Sequence, residues 1–287
     1  MDEVKTVKIE DAEYPIELKK VKDAPKILYY KGILPNPNEK CFAIVGTRRC
    51  SPYGQQIALK LSGELANAGL IIVSGLAPGI DTFSHKAVVE RKKRTIAVLG
   101  TGLDKKSVYP QTNLNLSEKI LEYGGCLMSE LPEGTPGSKF SFPRRNRIVS
   151  GLSLGVLVVE AKIKSGSLIT AELAKKQNKK LFAMPGSIFS LNSSGPNKLI
   201  KEGAELVENT NDILEKLNLS VVKVQQKFEA EDSEEKLILD ALREESLEVN
   251  KIIEKTNLSA PVIATKLALM EISGKIRSLG GNIYSLN

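Results

Sequence analysis

The sequence predicts an α/β protein with a doubly wound, mostly parallel sheet, followed by a small helical domain that ends in a hairpin. Between residues 41 and 217, short apolar segments alternate regularly with segments of helical length. One of them, Leu154–Val159, is continuously apolar, which is typical of a central strand buried on both faces. After residue 232 the pattern changes to three helices and two short β segments. These observations indicate two folded units in a chain of 287 residues.

The large unit is built from predicted strands that alternate with predicted helices. The strands are Cys41–Val45, Leu70–Val73, Thr95–Leu99, Cys126–Ser129, Gly155–Glu160 and Leu181–Ala183. The helices are Pro52–Ala68, one with Asp81 as its N-cap, Asn115–Tyr123, Ser167–Gln177, Asn197–Glu202 and Asn211–Leu217. Because parallel strands joined through helices need right-handed crossovers, this order predicts a Rossmann-like sheet in residues 41–217 covered on both faces.

The remaining segments flank or follow this sheet. Residues 1–40 contain the β-like pieces Pro15–Leu18 and Lys26–Tyr30, which we expect to be flanking strands of the main domain. Residues 218–232 are polar and are interpreted as a linker. Residues 233–287 predict helices Glu234–Arg243, Glu248–Lys255 and Ala260–Ile272 and then a hairpin, which together indicate a winged helix-turn-helix.

Many winged helices place their third helix in the major groove of DNA. Here that helix, Ala260–Ile272, carries one Lys, one Glu and no Arg, Asn or Gln. Such a surface is poor at reading base edges or neutralising phosphates. The sequence therefore favours a protein-contact or accessory role for the tail over specific duplex recognition.

Composition limits the class of protein. The net charge is +7, and residues 1–217 hold 32 of the 41 Lys and Arg residues but 23 of the 34 Asp and Glu residues, so the positive surplus lies on the large unit. The three cysteines lack the paired spacing of a metal site, and we expect reduced thiols and no metal. The absence of a long apolar run or a signal pattern predicts a soluble cytoplasmic protein with no membrane partner.

Four Gly-containing turns follow four predicted strands and would meet at one edge of the sheet. They are Gly46-Thr47-Arg48-Arg49, Ser74-Gly75 to Gly79, Gly100-Thr101-Gly102 and Ser165-Gly166-Ser167. Such turns offer free N–H groups to anions, although each alone is equally compatible with a tight strand-to-helix connection. Lys139 and the basic run Pro143–Arg147, which precedes a predicted Ser150–Ser153 turn, add cations. A positively charged groove of this kind holds nucleic acid single strands without sequence preference.

The sequence contains few of the motifs and residue combinations that are typical of enzymes. The chain lacks a P-loop and a G-x-G-x-x-G motif, and the second strand ends in Ser74 where a dinucleotide enzyme needs an acidic residue. His85, the single histidine, is interpreted as a packing or surface residue. Glu160 either pairs with one of the arginines or acts as a base in a nucleotide hydrolase. Phe140 and Phe142 flank the basic run and either stack on bases or pack in the core.

Eight motifs in chain order resemble the DNA-processing protein DprA/Smf family, over about residues 14–217. They are Phe42–Arg48, Val73–Thr82, Val108–Pro110, Phe142–Ser153, Val159–Ala161, Ser165–Ala171, Met184–Gly186 and Asn197–Ala204. The tail resembles the winged-helix domain of some members. The resemblance implies a protein without cofactor or enzymatic turnover that binds single-stranded DNA, forms a homodimer and helps load a RecA-type recombinase in natural transformation or recombination.

The resemblance and the basic run together define the expected DNA-binding residues. They are Gly46, Thr47, Arg48, Ser74, Gly75, Lys139, Phe142, Arg144, Arg145, Asn146, Arg147, Ser165, Gly166 and Ser167. Two features depart from the family: Pro78 stands where an Arg is usual, and the chain begins close to Tyr14 without the helical N-terminal domain of many members.

The alternative is an enzyme of the nucleotide phosphoribohydrolase type, which uses a similar sheet edge with a Gly-rich phosphate loop. Such enzymes normally show P-G-G-x-G-T before the helix. This chain has Ser165-Gly-Ser-Leu-Ile-Thr170 in that place, which favours the binding protein over the enzyme.

Overall fold

The computed structural model describes residues 3–219, 230, 232–243 and 245–286. Contacts between Cα atoms divide the chain into two compact units, residues 1–222 and residues 223–287. The predicted linker, residues 218–232, lies mostly outside the described residues.

The large unit has one mostly parallel sheet, in the described residues, in the order β1-β2-β6-β5-β4-β3-β7-β8-β9. Its strands are β1 Lys5–Lys8, β2 Ile27–Gly32, β3 Cys41–Val45, β4 Ile71–Ser74, β5 Thr95–Leu99, β6 Cys126–Ser129, β7 Gly155–Val158, β8 Lys180–Ala183 and β9 Glu205–Leu206. Strand β2 runs antiparallel to β1 and to β6, and the other pairs are parallel. The predicted fold class is thereby confirmed.

Helices cover both faces of this sheet. They are α1 Ile16–Lys19, α2 Pro52–Asn67, α3 Ile80–Glu90, α4 Leu114–Glu122, α5 Ser141–Leu152, α6 Gly166–Lys176, α7 Ser194–Lys201 and α8 Thr210–Lys216. Strand β3 shows why the strands are apolar throughout. Ala43 and Val45 belong to the core on one face, and Phe42 and Ile44 belong to the core on the other, because successive side chains alternate across a strand.

The strand order reverses at β3. From β3 the chain proceeds through β4, β5 and β6 on one side, and then returns to place β7, β8 and β9 on the other. The connections that leave β3 and β7 at their carboxyl ends therefore diverge, which opens a crevice between them. In open α/β sheets this switch point is the usual place for a ligand.

Three local predictions were wrong. Pro15–Leu18 begins a short helix rather than a strand, with Pro15 at the N-cap position. The basic run and the predicted Ser150–Ser153 turn form one helix, α5, because Ile148, Val149 and Leu152 bury an apolar face on the sheet. Asp81 is not the N-cap of α3, since Gly79 holds that position and Asp81 lies within the first turn.

The small unit is a three-helix domain with a three-stranded sheet, in its described residues. Its elements are α9 Ser233–Ala241, β10 Leu247–Glu248, α10 Val249–Thr256, α11 Ala260–Ile272, β11 Ile276–Gly280 and β12 Ile283–Leu286. Strand β12 lies between β10 and β11, and all pairs are antiparallel. The unit has its own apolar core, which includes Ile238, Ile252, Ile263 and Met270. This arrangement is that of a winged helix.

Candidate functional site

A groove of about 500 Å³ opens at the switch point. Its walls come from four stretches that are distant in sequence but meet at the carboxyl edge of the sheet. They are residues 45–49 after β3, residues 75–81 after β4, residues 139–149 on and before α5, and residues 162–170 after β7. The groove contains eleven residues of the predicted set, namely Gly46, Thr47, Arg48, Gly75, Lys139, Phe142, Arg145, Asn146, Ser165, Gly166 and Ser167.

Exposed cations surround the groove. Arg48, Arg49, Lys139, Lys162 and Lys164 all line it, and all five are exposed. Among the described residues, none of them lies within ion-pair distance of a carboxylate. Two of them lie over aromatic rings instead, Arg48 at 5.3 Å from the centre of one phenyl ring and Lys139 at 5.1 Å from another. Unneutralised cations beside aromatic faces are what an anionic polymer with planar bases requires.

The rings under these two cations belong to Phe142 and Phe140. Phe140 is 74 % exposed, which excludes core packing for its side chain. Phe142 is partly buried, and its ring also contacts Tyr109, with ring centres 5.4 Å apart. The two aromatic residues therefore differ, because Phe140 offers a free face to a ligand and Phe142 forms part of the wall.

The start of helix α6 closes one side of the groove. Ser165 is the N-cap, its hydroxyl accepts a hydrogen bond from the Ser167 amide at 3.4 Å, and the two hydroxyls lie 2.8 Å apart. Asn146 on α5 reaches across and donates to the Gly166 carbonyl at 3.3 Å. The start of a helix carries a partial positive charge, so this side of the groove favours an anion.

The floor of the groove is fixed by the buried guanidinium of Arg145. It donates to the carbonyl of Gly75 at 2.6 Å and to the carbonyl of Val98. A Cβ atom on Gly75 would collide with this guanidinium, so any larger residue there would displace the Arg145 side chain. Burial lowers the pKa of Arg145 to about 10, partly offset by the charge of Asp81. Arg145 therefore remains charged at neutral pH and braces the loop after β4.

Asp81 is the acidic partner in this floor. Its carboxylate accepts a hydrogen bond from the Gly75 amide at 3.0 Å. Burial raises its pKa, an effect opposed by the charge of Arg145. The carboxyl group thus ties the loop after β4 to the first turn of α3 and lies near the buried cation of Arg145. We therefore assign Asp81 a structural role.

Three predicted residues do not reach the groove. Ser74 is fully buried beneath it, where its hydroxyl donates to the Ile44 carbonyl at 2.7 Å. Arg144 and Arg147 line a separate hollow of about 870 Å³. Arg147 pairs there with Glu130 at 2.7 Å and with Asp23 at 3.4 Å, and Arg144 pairs with Glu130 at 3.1 Å.

Glu160 does not pair with an arginine. It is 1 % exposed and accepts hydrogen bonds from the Ser51 amide at 2.9 Å, from the Ser51 hydroxyl and from the Asn192 amide. The carboxylate therefore anchors the start of α2, and these bonds leave it poorly placed to act as a general base. No feature of the groove specifically favours the phosphoribohydrolase alternative.

His85 is a core residue. It is fully buried, and its Nδ1 atom lies 2.9 Å from the Thr95 hydroxyl. That hydroxyl donates its own hydrogen to the Ile72 carbonyl, so the imidazole nitrogen is the donor. Burial and then the charge of Arg145 lower the pKa of His85 to about 3, so the ring is neutral.

Sequence reasoning missed Lys162 and Lys164 in the groove. A usable signal was present, because both lie in the short connection between the strand that ends at Val158 and the α6 turn. Residues at the carboxyl end of a parallel strand face the crevice. The described residues contain no cluster of three or more metal-ligating side chains, and none of their helices is long and apolar enough to cross a lipid bilayer.

A mostly parallel sheet with a cationic groove at its switch point, followed by a separate winged-helix unit, defines a class of two-unit Rossmann-like proteins. Two family profiles match the chain within this class. "DNA recombination-mediator protein A" matches residues 5–218, and "DprA winged helix domain" matches residues 223–282. The chain therefore belongs to the DNA recombination-mediator protein A family, also called DprA/Smf, as its motifs predicted.

Individual relatives agree with this assignment. Protein Smf of Escherichia coli is 38 % identical over 282 residues, which cover 95 % of this chain and 75 % of the relative. The DNA processing protein DprA of Bacillus subtilis is 43 % identical over 215 residues, which cover 75 % of this chain and 71 % of the relative.

Two solved structures of family members resemble the chain. The X-ray structure of DNA processing protein A from Streptococcus pneumoniae has a TM-score of 0.69 and 43 % identity, and the match covers 75 % of each chain. The structure of DNA processing protein A from Helicobacter pylori, whose subject is its single-stranded DNA binding mode, has a TM-score of 0.65 and 33 % identity. That match covers 75 % of this chain and 96 % of the other.

Proposed function

We propose that this protein binds single-stranded DNA in the switch-point groove, protects it and helps to load a RecA-type recombinase during natural transformation or recombination. The observation that carries the binding step is the meeting of five exposed cations, which have no carboxylate partner among the described residues, with the start of helix α6 at one edge of the sheet. The Helicobacter pylori relative, described as having a single-stranded DNA binding mode, supports it.

The groove suits a single strand because it combines charge with aromatic faces. Phosphates would be neutralised by the exposed arginines and lysines and would be attracted by the positive end of α6. Bases would stack on the exposed ring of Phe140. None of these contacts reads a base edge, so binding would be independent of sequence.

The proposed contacts are the groove members of the predicted set together with Arg49, Phe140, Lys162 and Lys164. For Arg144, Arg147 and Ser74 we propose a supporting role. The two arginines pair with Glu130 in the separate hollow, and Ser74 holds β4 to β3 beneath the groove.

The binding step is tested with fluorescent oligothymidylate at several salt concentrations. The wild-type affinity should fall with salt with a slope of about −0.7 in log K against log[salt] for each phosphate neutralised. Arg48→Ala and Lys139→Ala should each weaken binding and flatten this slope by roughly one phosphate contact.

Lys93→Ala is the matched control. Lys93 is exposed and precedes β5, so it lies at the opposite edge of the sheet while its loss changes the net charge equally. If Arg48→Ala bound with the affinity and salt slope of Lys93→Ala, the groove would not be the DNA site.

Recombinase loading and a homodimer are proposed from membership of the family. Sedimentation equilibrium should give the mass of two chains of 31.3 kDa each. On a strand coated with single-strand binding protein, addition of the protein should speed filament formation by a RecA-type recombinase, and Arg48→Ala should not. Equal rates with and without the wild-type protein would refute the loading role.

A further inference from the structure

A group of apolar side chains projects into solvent from the connection between β8 and α7. Ile188, Phe189 and Leu191 are 85 %, 92 % and 71 % exposed. Within the described part of the chain, Phe189 is the most exposed of the large apolar side chains. We call these three residues the apolar ledge. Exposure of adjacent large apolar groups is unfavourable in water, so such a group commonly marks a binding surface.

The apolar ledge is fastened to two walls of the groove. Asn192, one residue beyond it, donates to the Arg49 carbonyl at 3.1 Å, and Arg49 lines the groove after β3. The Asn192 carbonyl accepts from the Ala161 amide at 2.7 Å, directly before the groove residue Lys162. The apolar ledge therefore lies next to these two walls, in the connection that follows β8.

The loop that carries the apolar ledge is also closed at its base. The Asn197 side chain accepts from the Gly186 amide at 3.1 Å and donates to the Gly186 carbonyl at 2.9 Å. The Tyr53 hydroxyl donates to the Pro185 carbonyl at 2.8 Å. These bonds hold the loop in place, so its apolar side chains are presented to solvent by a fixed backbone.

We propose that the apolar ledge binds unstacked bases of a DNA strand whose phosphates occupy the neighbouring groove, with Phe189 as the stacking platform. The inference rests on the proposed function and extends the bound strand past β8. A phenyl face beside a track of cations is the usual arrangement for holding successive bases of a single strand. A standard protein interface buries about 800 Å² on each partner, which is a larger surface than three side chains of one loop provide.

The chain contains no tryptophan, which allows a direct test. Phe189→Trp in the full-length protein introduces one fluorophore on the apolar ledge. Its emission should be quenched by an oligothymidylate of about twenty nucleotides and much less by one of about six, a length within the range of a single groove. Emission that stays unchanged at saturating long strand would overturn the proposal.

Affinities supply the second measurement. Phe189→Ala should lower the affinity for the long strand by about 5- to 100-fold, which corresponds to the loss of one stacked base. The affinity for the short strand should stay unchanged. Ile33→Ala is the matched control, because Ile33 is 57 % exposed and follows β2 at the opposite edge of the sheet. It should bind both strands as wild type does.

The outcomes separate the apolar ledge from the groove. If Arg48→Ala lowers the affinity for the short strand while Phe189→Ala leaves the affinity for the long strand unchanged, the groove remains the proposed DNA site and the ledge proposal is refuted. If Arg48→Ala leaves the affinity for the short strand unchanged, the proposed function itself is refuted. If Phe189→Ala halves the sedimenting mass without changing the affinity per chain, the ledge is an interface between copies and the proposal is refuted.

Discussion

Three arginines near the groove have different roles, because they differ in burial and in the groups that they contact. Arg48 is exposed and unpaired among the described residues, so its charge is available to a ligand. Arg145 is buried, and its guanidinium donates hydrogen bonds to backbone carbonyls of the floor. Arg147 is equally buried, but it faces the carboxylates of Glu130 and Asp23. Only the first kind is suited to neutralise phosphate.

Arg147→Ala should therefore lower the stability of the protein and leave the salt slope of DNA binding as it is. The substitution removes a buried, charge-assisted hydrogen bond to Glu130 and should cost about 2 kcal/mol in the free energy of unfolding. Arg144→Ala is the control, because Arg144 is 67 % exposed and its pair with the same carboxylate is worth about 1 kcal/mol or less. Urea denaturation measures the free energy of unfolding of both variants. A flattened salt slope with unchanged stability would instead make Arg147 a DNA contact.

At the level of elements, the groove depends on two loops that touch each other. The Ile80 amide, at the start of α3, donates to the Thr47 carbonyl at 3.3 Å, and the Thr47 amide donates to the Glu160 carbonyl at 2.7 Å. The loop that carries Arg48 is thus held from both sides. Gly79 makes the first contact possible, because its φ is +79° and a Cβ atom there would overlap the Thr47 carbonyl oxygen.

Gly79→Ala should weaken DNA binding as well as stability. The new methyl group would push on the backbone of Thr47 and Arg48 and displace the loop that presents the guanidinium. Gly203→Ala separates this effect from backbone strain, since Gly203 has φ +94° and open space around the Cβ position. Both variants should lose roughly 1 to 3 kcal/mol to a positive φ that residues with a Cβ atom rarely adopt. Only Gly79→Ala should lower the affinity for oligothymidylate, and equal affinities would mean that the contact does not position Arg48.

At the scale of the whole molecule, the two units differ in the surfaces that they offer. The large unit carries the positive surplus and the groove. In the winged helix, α11 exposes Leu269 and Ile272, and its single lysine, Lys266, pairs with Asp232 and Glu234. A surface of this kind offers little to phosphates.

Removal of residues 223–287 should therefore leave the affinity for single-stranded DNA and its salt slope unchanged. Each unit has its own apolar core, so the large unit should fold without the small one. Gel shifts with single-stranded and duplex oligonucleotides at two salt concentrations, with and without these residues, provide the measurement. Loss of duplex binding on truncation would show that the winged helix binds DNA, contrary to the composition of α11.

The parallel sheet and the position of the groove follow largely from the sequence. Continuously apolar segments such as Gly155–Val158 are stable only between two layers of helices, and their carboxyl ends must share one edge of a parallel sheet. Glycines and cations placed after those segments are therefore brought together whatever the details of packing. For this reason Arg48, Lys139 and Ser165 could be grouped before the structure was known.

Only the tertiary structure decided which of these side chains enter the groove. Arg144, Arg145 and Arg147 lie within one turn of α5, where each residue is rotated by about 100° from the one before it, so neighbours in sequence point to different surroundings. The partner of Glu160 is Ser51, more than a hundred positions away, and no local pattern specifies it. Burial and charge pairing depend on such distant neighbours, and the folded chain alone brings them together.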